Sequence, residues 1–157
     1  MRQLDWLETL VKGFAGLFLF LVFAMVTAQV ASRYLLDFSL AAASELSIYC
    51  MIWSVFLGAA VAFRSNSHIA MDIVRAKLPV RLARLATLIT FVLLAGFLIL
   101  LIFQGYDLAQ RAMRQLSSAS GLPVGYVSMA IPVGSVLAMV FLIESTVQTL
   151  RQEQDHD

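Results

Sequence analysis

The chain has 157 residues, of which 61% are hydrophobic and only 13% charged, with a net charge of +1 and a single cysteine, Cys50. A typical soluble domain is about 45–50% apolar and about 25% charged, so this composition favours lipid as the solvent. The near-neutral charge excludes the basic field of a nucleic-acid-binding protein. One cysteine excludes disulfide scaffolds, cysteine-rich metal sites and CxxC redox pairs. We therefore expect one integral membrane domain over residues 1–157.

Four stretches between charged residues are long and apolar enough to cross the hydrocarbon core, which takes about 20 helical residues. The predicted spans are residues 13–32, 46–63, 85–106 and 124–143. The first is longer than the apolar region of a signal peptide, about 7–15 residues, so we expect it to be retained. The fourth contains Pro132, which predicts a kink. The fold class is all-α, a four-helix membrane protein.

Lys and Arg are shared unequally between the two sides of these spans. The two terminal segments and the middle loop carry eight of the 11, whereas the first and third loops carry three: Arg33, Arg111 and Arg114. Cytoplasmic loops are enriched in Lys and Arg. The distribution predicts that both termini and the middle loop lie in the cytoplasm.

The middle loop is more than a linker. A short amphipathic helix is predicted from Ser67, as its N-cap, to Leu78, where Pro79 ends it. We expect this helix to lie at the cytoplasmic interface of the membrane. Four basic side chains are then expected to contact lipid phosphates: Arg75, Lys77, Arg81 and Arg84.

The third helix is expected to continue beyond the membrane. Asp107, Arg111 and Arg114 recur at helical spacing, which predicts helix to about Leu116. An ion pair between Asp107 and Arg111 is expected to support it by a few tenths of a kcal/mol.

The inventory of reactive side chains supports no catalytic chemistry. Haem ligation usually needs several histidines within the spans, but His68 lies in a loop and His156 in the tail. The first three predicted spans contain no carboxylate that could couple transport to protons. We expect a non-enzymatic chain that holds no cofactor.

Glu45 opens the second span and has two interpretations. It is either an interface carboxylate favoured by the helix dipole or a residue of folding or subunit contact. The second interpretation is suggested by a helical stripe that contains Glu45, Tyr49, Trp53 and Phe56. Trp53 lies near mid-span, which favours packing against another helix.

Another face of the second span carries Ser54, Gly58 and Ala62 at spacings of four. Small residues at this spacing let two helix backbones approach closely in lipid. The first span has a similar ridge of Ala24, Ala28 and Ser32. The alternative is that small residues are simply common in membrane helices.

The second span also carries a recognisable pattern. Residues 44–64 read SELSIYCMIWSVFLGAAVAFR and are followed by His68-Ile69. This pattern resembles the signature of the small Q-type membrane subunit of TRAP (tripartite ATP-independent periplasmic) transporters. Supporting matches are Arg33-Tyr34 after the first span, Leu122-Pro123 with Tyr126, and the AIPVG motif of residues 130–134.

The resemblance implies a partner system in the bacterial inner membrane. A large M-type permease subunit would move organic acids, such as dicarboxylates or sialic acid, with sodium, and a soluble periplasmic protein would bind the substrate. This chain would be a scaffold without a coupling-ion site of its own. The alternative is a stand-alone membrane scaffold or assembly factor.

Two contact sets are expected on this basis. Residues expected to contact or pack against the large subunit are Glu45, Tyr49, Trp53, Ser54, Gly58 and Ala62. Residues expected to dock the periplasmic partner are Arg33, Arg111 and Arg114.

Overall fold

The computed structural model describes residues 4–35, 38, 41–75 and 80–154. These residues form five helices: α1 Asp5–Leu35, α2 Ala41–Arg75, α3 Val80–Ala112, α4 Gly125–Ser128 and α5 Ala130–Gln154. No β-strand occurs in these ranges, and the single β-bridge joins Leu116 and Pro123. The all-α fold class is confirmed.

Four helical segments are long and apolar enough to cross a membrane. They are Asp5–Leu35, Ala41–Arg64, Leu85–Ala112 and Gly125–Gln148, the last formed by α4 and α5 together. The four predicted spans fall in these same segments. Each observed segment is longer than predicted, because helix geometry continues past the charged residues that bounded the predictions.

The fourth span contains Pro132, as predicted, and is interrupted one turn before it. The interruption lies at Met129, between α4 and α5, and Pro132 occupies the first turn of α5. Proline has no N–H to donate to the carbonyl four residues back, which here is that of Ser128. The helix is therefore interrupted upstream of the proline, where the missing hydrogen bond would have formed.

The middle segment also differs from its prediction. α2 continues without a break from the second span to Arg75, so Ser67 lies inside a helix and does not begin one. Lys77 lies outside the described residues, and the structure describes only the backbone of Arg75, Arg81 and Arg84. An interfacial position and phosphate contacts for these four residues stay predictions.

α3 ends at Ala112, four residues before the predicted end. Its Asp107–Arg111 ion pair is confirmed at 2.5 Å. Beyond α3 the chain folds back on itself: Ser117 N donates to Leu122 O at 2.9 Å and Val124 N to Gln115 O at 2.9 Å. These backbone bonds replace the helical ones, so the helix cannot continue to Leu116.

The helices pack in the order α1, α2, α5, α3. α1 packs on α2, α2 on α5, and α5 on α3, whereas α2 and α3 touch little. One apolar cluster joins all four long helices: Val11, Leu57, Ala60, Val61, Leu98, Ala138, Phe141 and Leu142. Phe141 of α5 is fully buried at its centre. α2 and α5 are therefore the central pair.

The backbones of these two helices approach each other closely. A Cβ added to Gly134 would stand 2.8 Å from Phe56 Cβ and 3.1 Å from Phe56 O. Gly134 belongs to a ridge at spacings of four with Ala130 and Ala138, and all three residues are buried. A Cβ added to Gly58 would have no heavy atom within 4 Å. The sequence pattern of small residues is thus used inside the chain on α5, and not at Gly58.

We predict that Gly134→Ala destabilises the chain by about 1–3 kcal/mol, because the new methyl group overlaps Phe56 and its backbone. Gly58→Ala is the matched control and should leave stability unchanged or slightly raised, because its methyl group enters open space and alanine favours helix. Denaturant titration of the purified chain in detergent measures both. Equal stabilities for the two variants would contradict the close contact of α2 and α5.

Candidate functional site

Charged residues gather at one end of the helix row, around Arg64 of α2. Because α1 and α2 run in opposite directions, the start of α1 lies beside the end of the second span. The Arg64 guanidinium contacts Asp5 Oδ1 at 2.7 Å and pairs with Glu8. From α5, Glu144 Oε2 lies 2.9 Å from Arg64 Nε. One cation thus ties three helices together; we call this end of the molecule the Arg64 end.

The Arg64 side chain is largely withdrawn from solvent. Arg64 and Glu144 expose only 14% and 13% of their side chains, whereas Asp5 exposes 60%. The guanidinium carbon lies 6.0 Å from the centre of the Phe141 ring. Lys12 adds a second cation by contacting Glu8 at 2.5 Å. The planar fork of arginine suits this role because its five donors can serve several carboxylates at once.

Glu45 occupies the opposite end, which we call the Glu45 end. Its carboxylate accepts hydrogen bonds from a turn between α3 and α4. Ser117 Oγ and Ser120 N donate to Oε2, the latter at 2.9 Å, and Ala119 N and Ser118 Oγ donate to Oε1 at 3.2 and 3.5 Å. Both oxygens are therefore engaged, and Glu45 has a folding role within the chain.

Trp53 packs inside the chain, as its mid-span position predicted. Its ring stacks on Phe18 of α1 with centroids 6.1 Å apart. Its indole Nε1 donates to the carbonyl of Tyr126 in α4 at 3.2 Å. Ser54, one residue on, donates from Oγ to the carbonyl of Ala15 at 2.9 Å. These contacts hold α1 against α2.

The remaining residues of the expected large-subunit contact differ in exposure. Tyr49 and Ala62 are half-buried, and Gly58 is exposed. The flank of α2 next to Gly58 also exposes Ile48, Met51 and Val55. Contact of this set with a second subunit stays a prediction, since the structure contains one chain.

The three arginines of the expected docking set are all exposed at the Glu45 end. Arg111 pairs with Asp107, whereas Arg114 makes no ion pair among the described residues. Arg33 lies at the end of α1, which does not pack on α3. The set therefore divides into two separate positions at the edges of the helix row.

No group of three or more His, Cys, Asp or Glu side chains in the described part of the chain is arranged to hold a metal ion. The three carboxylates at the Arg64 end surround a guanidinium instead. Cys50 is buried, as expected for an apolar filler.

The sequence patterns did not predict that charged side chains meet around Arg64, or that the 117–120 segment meets Glu45. The available signal was the up-and-down topology, which places Asp5, Arg64 and Glu144 at one end of antiparallel spans. At the other end, the donor-rich Ser-Ser-Ala-Ser segment falls on the same side as Glu45. Neither signal identifies which charges meet, because helix rotation and packing order decide that.

Comparison with known proteins identifies the family. The sequence profile described as "Tripartite ATP-independent periplasmic transporters, DctQ component" matches residues 22–152, most of the chain. The chain belongs to this family. The resemblance seen in the second span is thereby confirmed, and the protein is a multi-pass membrane component of the TRAP transporter small permease type.

Two relatives of this small permease have been found. It is 28% identical over 126 residues to the "Putative TRAP transporter small permease protein" of Haemophilus influenzae, covering 80% of this chain and 78% of the relative. It is 32% identical over 160 residues to the uncharacterized protein y4mM of Sinorhizobium fredii. That match covers 99% of this chain but 28% of the longer relative.

We predict that Arg64→Gln destabilises the small permease by about 1–3 kcal/mol, because Asp5, Glu8 and Glu144 then lose their shared cation. The expected loss is smaller than for fully buried pairs since these groups keep some solvent contact. Lys12→Gln, which removes an exposed cation from the same cluster, should lose less than 1 kcal/mol.

A double-mutant cycle separates this network from a general packing effect. Adding Glu144→Gln to Arg64→Gln should restore part of the lost stability, with a coupling of about 0.5 kcal/mol or more. If the losses in unfolding free energy of the two single variants simply add in the double variant, Arg64 and Glu144 do not interact.

Proposed function

We propose that this chain is the small membrane subunit of a TRAP-type secondary transporter for organic acids in a bacterial inner membrane. Family membership over residues 22–152 is the observation that carries the proposal. In this proposal the chain is non-enzymatic and enlarges the static scaffold of a large permease subunit. Substrate movement and sodium coupling belong to that large subunit, and substrate recognition to a soluble periplasmic protein.

The surface that we propose for the large subunit is the exposed flank of α2 around Gly58. A Cβ at Gly58 would meet no heavy atom of a neighbouring helix within 4 Å, so a partner helix could approach the α2 backbone there. By contrast, the space beside Gly134 of α5 is already occupied by Phe56 of α2. Trp53 and Ser54 support this flank from within by fixing α2 against its neighbours.

The Glu45 end is proposed to face the periplasm, in agreement with the Lys and Arg distribution. Arg33, Arg111 and Arg114 would then meet the soluble binding protein. Exposed charges of this kind steer and register a partner more than they add affinity. Arg33 and Arg114 are the stronger two for this role because, unlike Arg111, neither pairs with a carboxylate of the described chain.

Gly58→Leu tests the membrane contact. The variant should fold as well as the wild type, because its side chain enters space that is open in the single chain. It should nevertheless lose the large permease subunit on affinity purification, by about tenfold or more, since overpacking of an interface by 1–3 kcal/mol shifts binding by that order. Mass spectrometry identifies and quantifies the co-purified subunit.

Gly96→Leu is the matched control. Gly96 of α3 is also exposed with open space at its Cβ position, so the same substitution there should retain the partner. If Gly58→Leu co-purifies as much large permease subunit as the wild type does, this flank of α2 faces lipid. If the wild-type chain captures no large permease subunit at all, the stand-alone scaffold becomes the better description.

Charge reversal tests docking. Arg111→Glu with Arg114→Glu should slow uptake at limiting binding protein and reduce its salt dependence, because steering by these charges is screened by ions. Arg33→Glu, made separately, tests the other edge of the row. Uptake that is unchanged at every salt concentration, with the membrane complex intact, would remove Arg111 and Arg114 from the docking surface.

A further inference from the structure

The Glu45 carboxylate holds the tip of a turn whose base is closed by backbone hydrogen bonds. We call residues 117–121 the serine turn. Its backbone closes through Gly121 N to Ser117 O at 3.1 Å, and Gly121 adopts a positive φ of 69°. The N–H groups of Ala119 and Ser120 point instead to the two carboxylate oxygens of Glu45. The tip of the turn is thus fastened to α2, more than 70 residues earlier in the chain.

A carboxylate is suited to this position because its two oxygens can accept all four donors. Charge-assisted hydrogen bonds are also stronger than those between neutral groups. Glutamine has the same size but replaces one oxygen by an N–H donor, which would face donors of the turn. The position therefore distinguishes the carboxylate from its closest neutral analogue.

The fastened turn presents an unusual surface. Leu116 and Leu122 flank it and expose 70% and 42% of their area, beyond the last basic residues of α3. Arg114 lies beside Leu116 and makes no ion pair among the described residues. Apolar side chains that this loop holds in an exposed position, near a cation with which no described carboxylate pairs, fit a partner patch that is partly apolar and carries a carboxylate opposite Arg114.

We propose that Glu45 is a positioning residue that holds the serine turn as a preformed docking surface for the soluble periplasmic partner. This inference rests on the proposed function. A turn ordered before the encounter loses less conformational entropy on binding than a mobile one. Docking on this surface therefore depends on a residue that does not itself touch the partner.

The first measurement concerns the turn alone. In Glu45→Gln, hydrogen exchange at the amides of Ala119 and Ser120 should be about tenfold faster or more, because their acceptors are lost. Glu45→Asp keeps two acceptor oxygens on a shorter side chain and should give an intermediate rate. Asp107→Asn is the control, since it removes a negative charge at the same end without contacting the turn. In this variant the amides of Ala119 and Ser120 should exchange at the wild-type rate. Wild-type exchange in Glu45→Gln would overturn the proposal.

The second measurement concerns docking, in the complete membrane complex in proteoliposomes. With Glu45→Gln, the concentration of binding protein that gives half-maximal uptake should rise about tenfold, the size of one lost interface contact. The maximal rate and the yield of the large subunit should not change. Leu116→Asp should raise the half-maximal concentration similarly while leaving amide exchange in the turn unchanged.

The remaining outcomes separate this proposal from the proposed function. Faster exchange with an unchanged half-maximal concentration would overturn the docking role and leave the transporter subunit intact. Loss of the large subunit from Glu45→Gln would place the turn against that subunit, which also overturns the proposal. If wild-type complexes need no soluble partner, the proposed function itself fails, whatever the exchange rates show.

Discussion

The close approach of α2 and α5 at Gly134 fixes the positions of the other two spans. α1 packs on α2 and α3 packs on α5, so the central pair joins the two outer helices into one bundle. Apolar side chains gain nothing from contact with each other over contact with lipid tails, so helices in a membrane associate mainly through close packing and polar contacts. The Ala130, Gly134 and Ala138 ridge supplies the close packing. Phe141, fully buried one turn further on, fills the space where the four helices meet.

Polar contacts add to this packing at the two ends of the molecule. Arg64 joins α1, α2 and α5 through three carboxylates, and Glu45 joins α2 to the turn before α4. Both contacts join residues far apart in sequence and fix the vertical register of helices that apolar packing alone would let slide. Lipid cannot substitute for them, because a carboxylate or guanidinium without a partner at the membrane edge must find water or a headgroup instead.

The sequence predicted the parts of the fold that depend on one helix at a time. Span number, span position and the Asp107–Arg111 pair follow from hydropathy and from the i, i+4 spacing within a helix, and all are present. The second-span motif identified the family. What the sequence could not supply depends on two helices at once. Ser54, Gly58 and Ala62 carry the same spacing as Ala130, Gly134 and Ala138, yet Gly134 packs against another helix of the chain and Gly58 does not. The rotation of each helix decides between them, and no local pattern encodes it.

The order of packing differs from the order of synthesis, and this has a consequence for how the chain matures. α1 and α2 are neighbours in both orders and can associate as a hairpin as soon as α2 has entered the membrane. α3 follows but touches α2 little. α5 lies between α2 and α3 and is made after both. Until α5 is inserted, its contact surfaces on the other helices face lipid or the insertion machinery: Phe56 of α2, which meets Gly134, and Gly105 of α3, which meets Ile131. The four-helix core is therefore assembled only after α5 is translated, so a chain truncated before α5 would keep only its first helix pair.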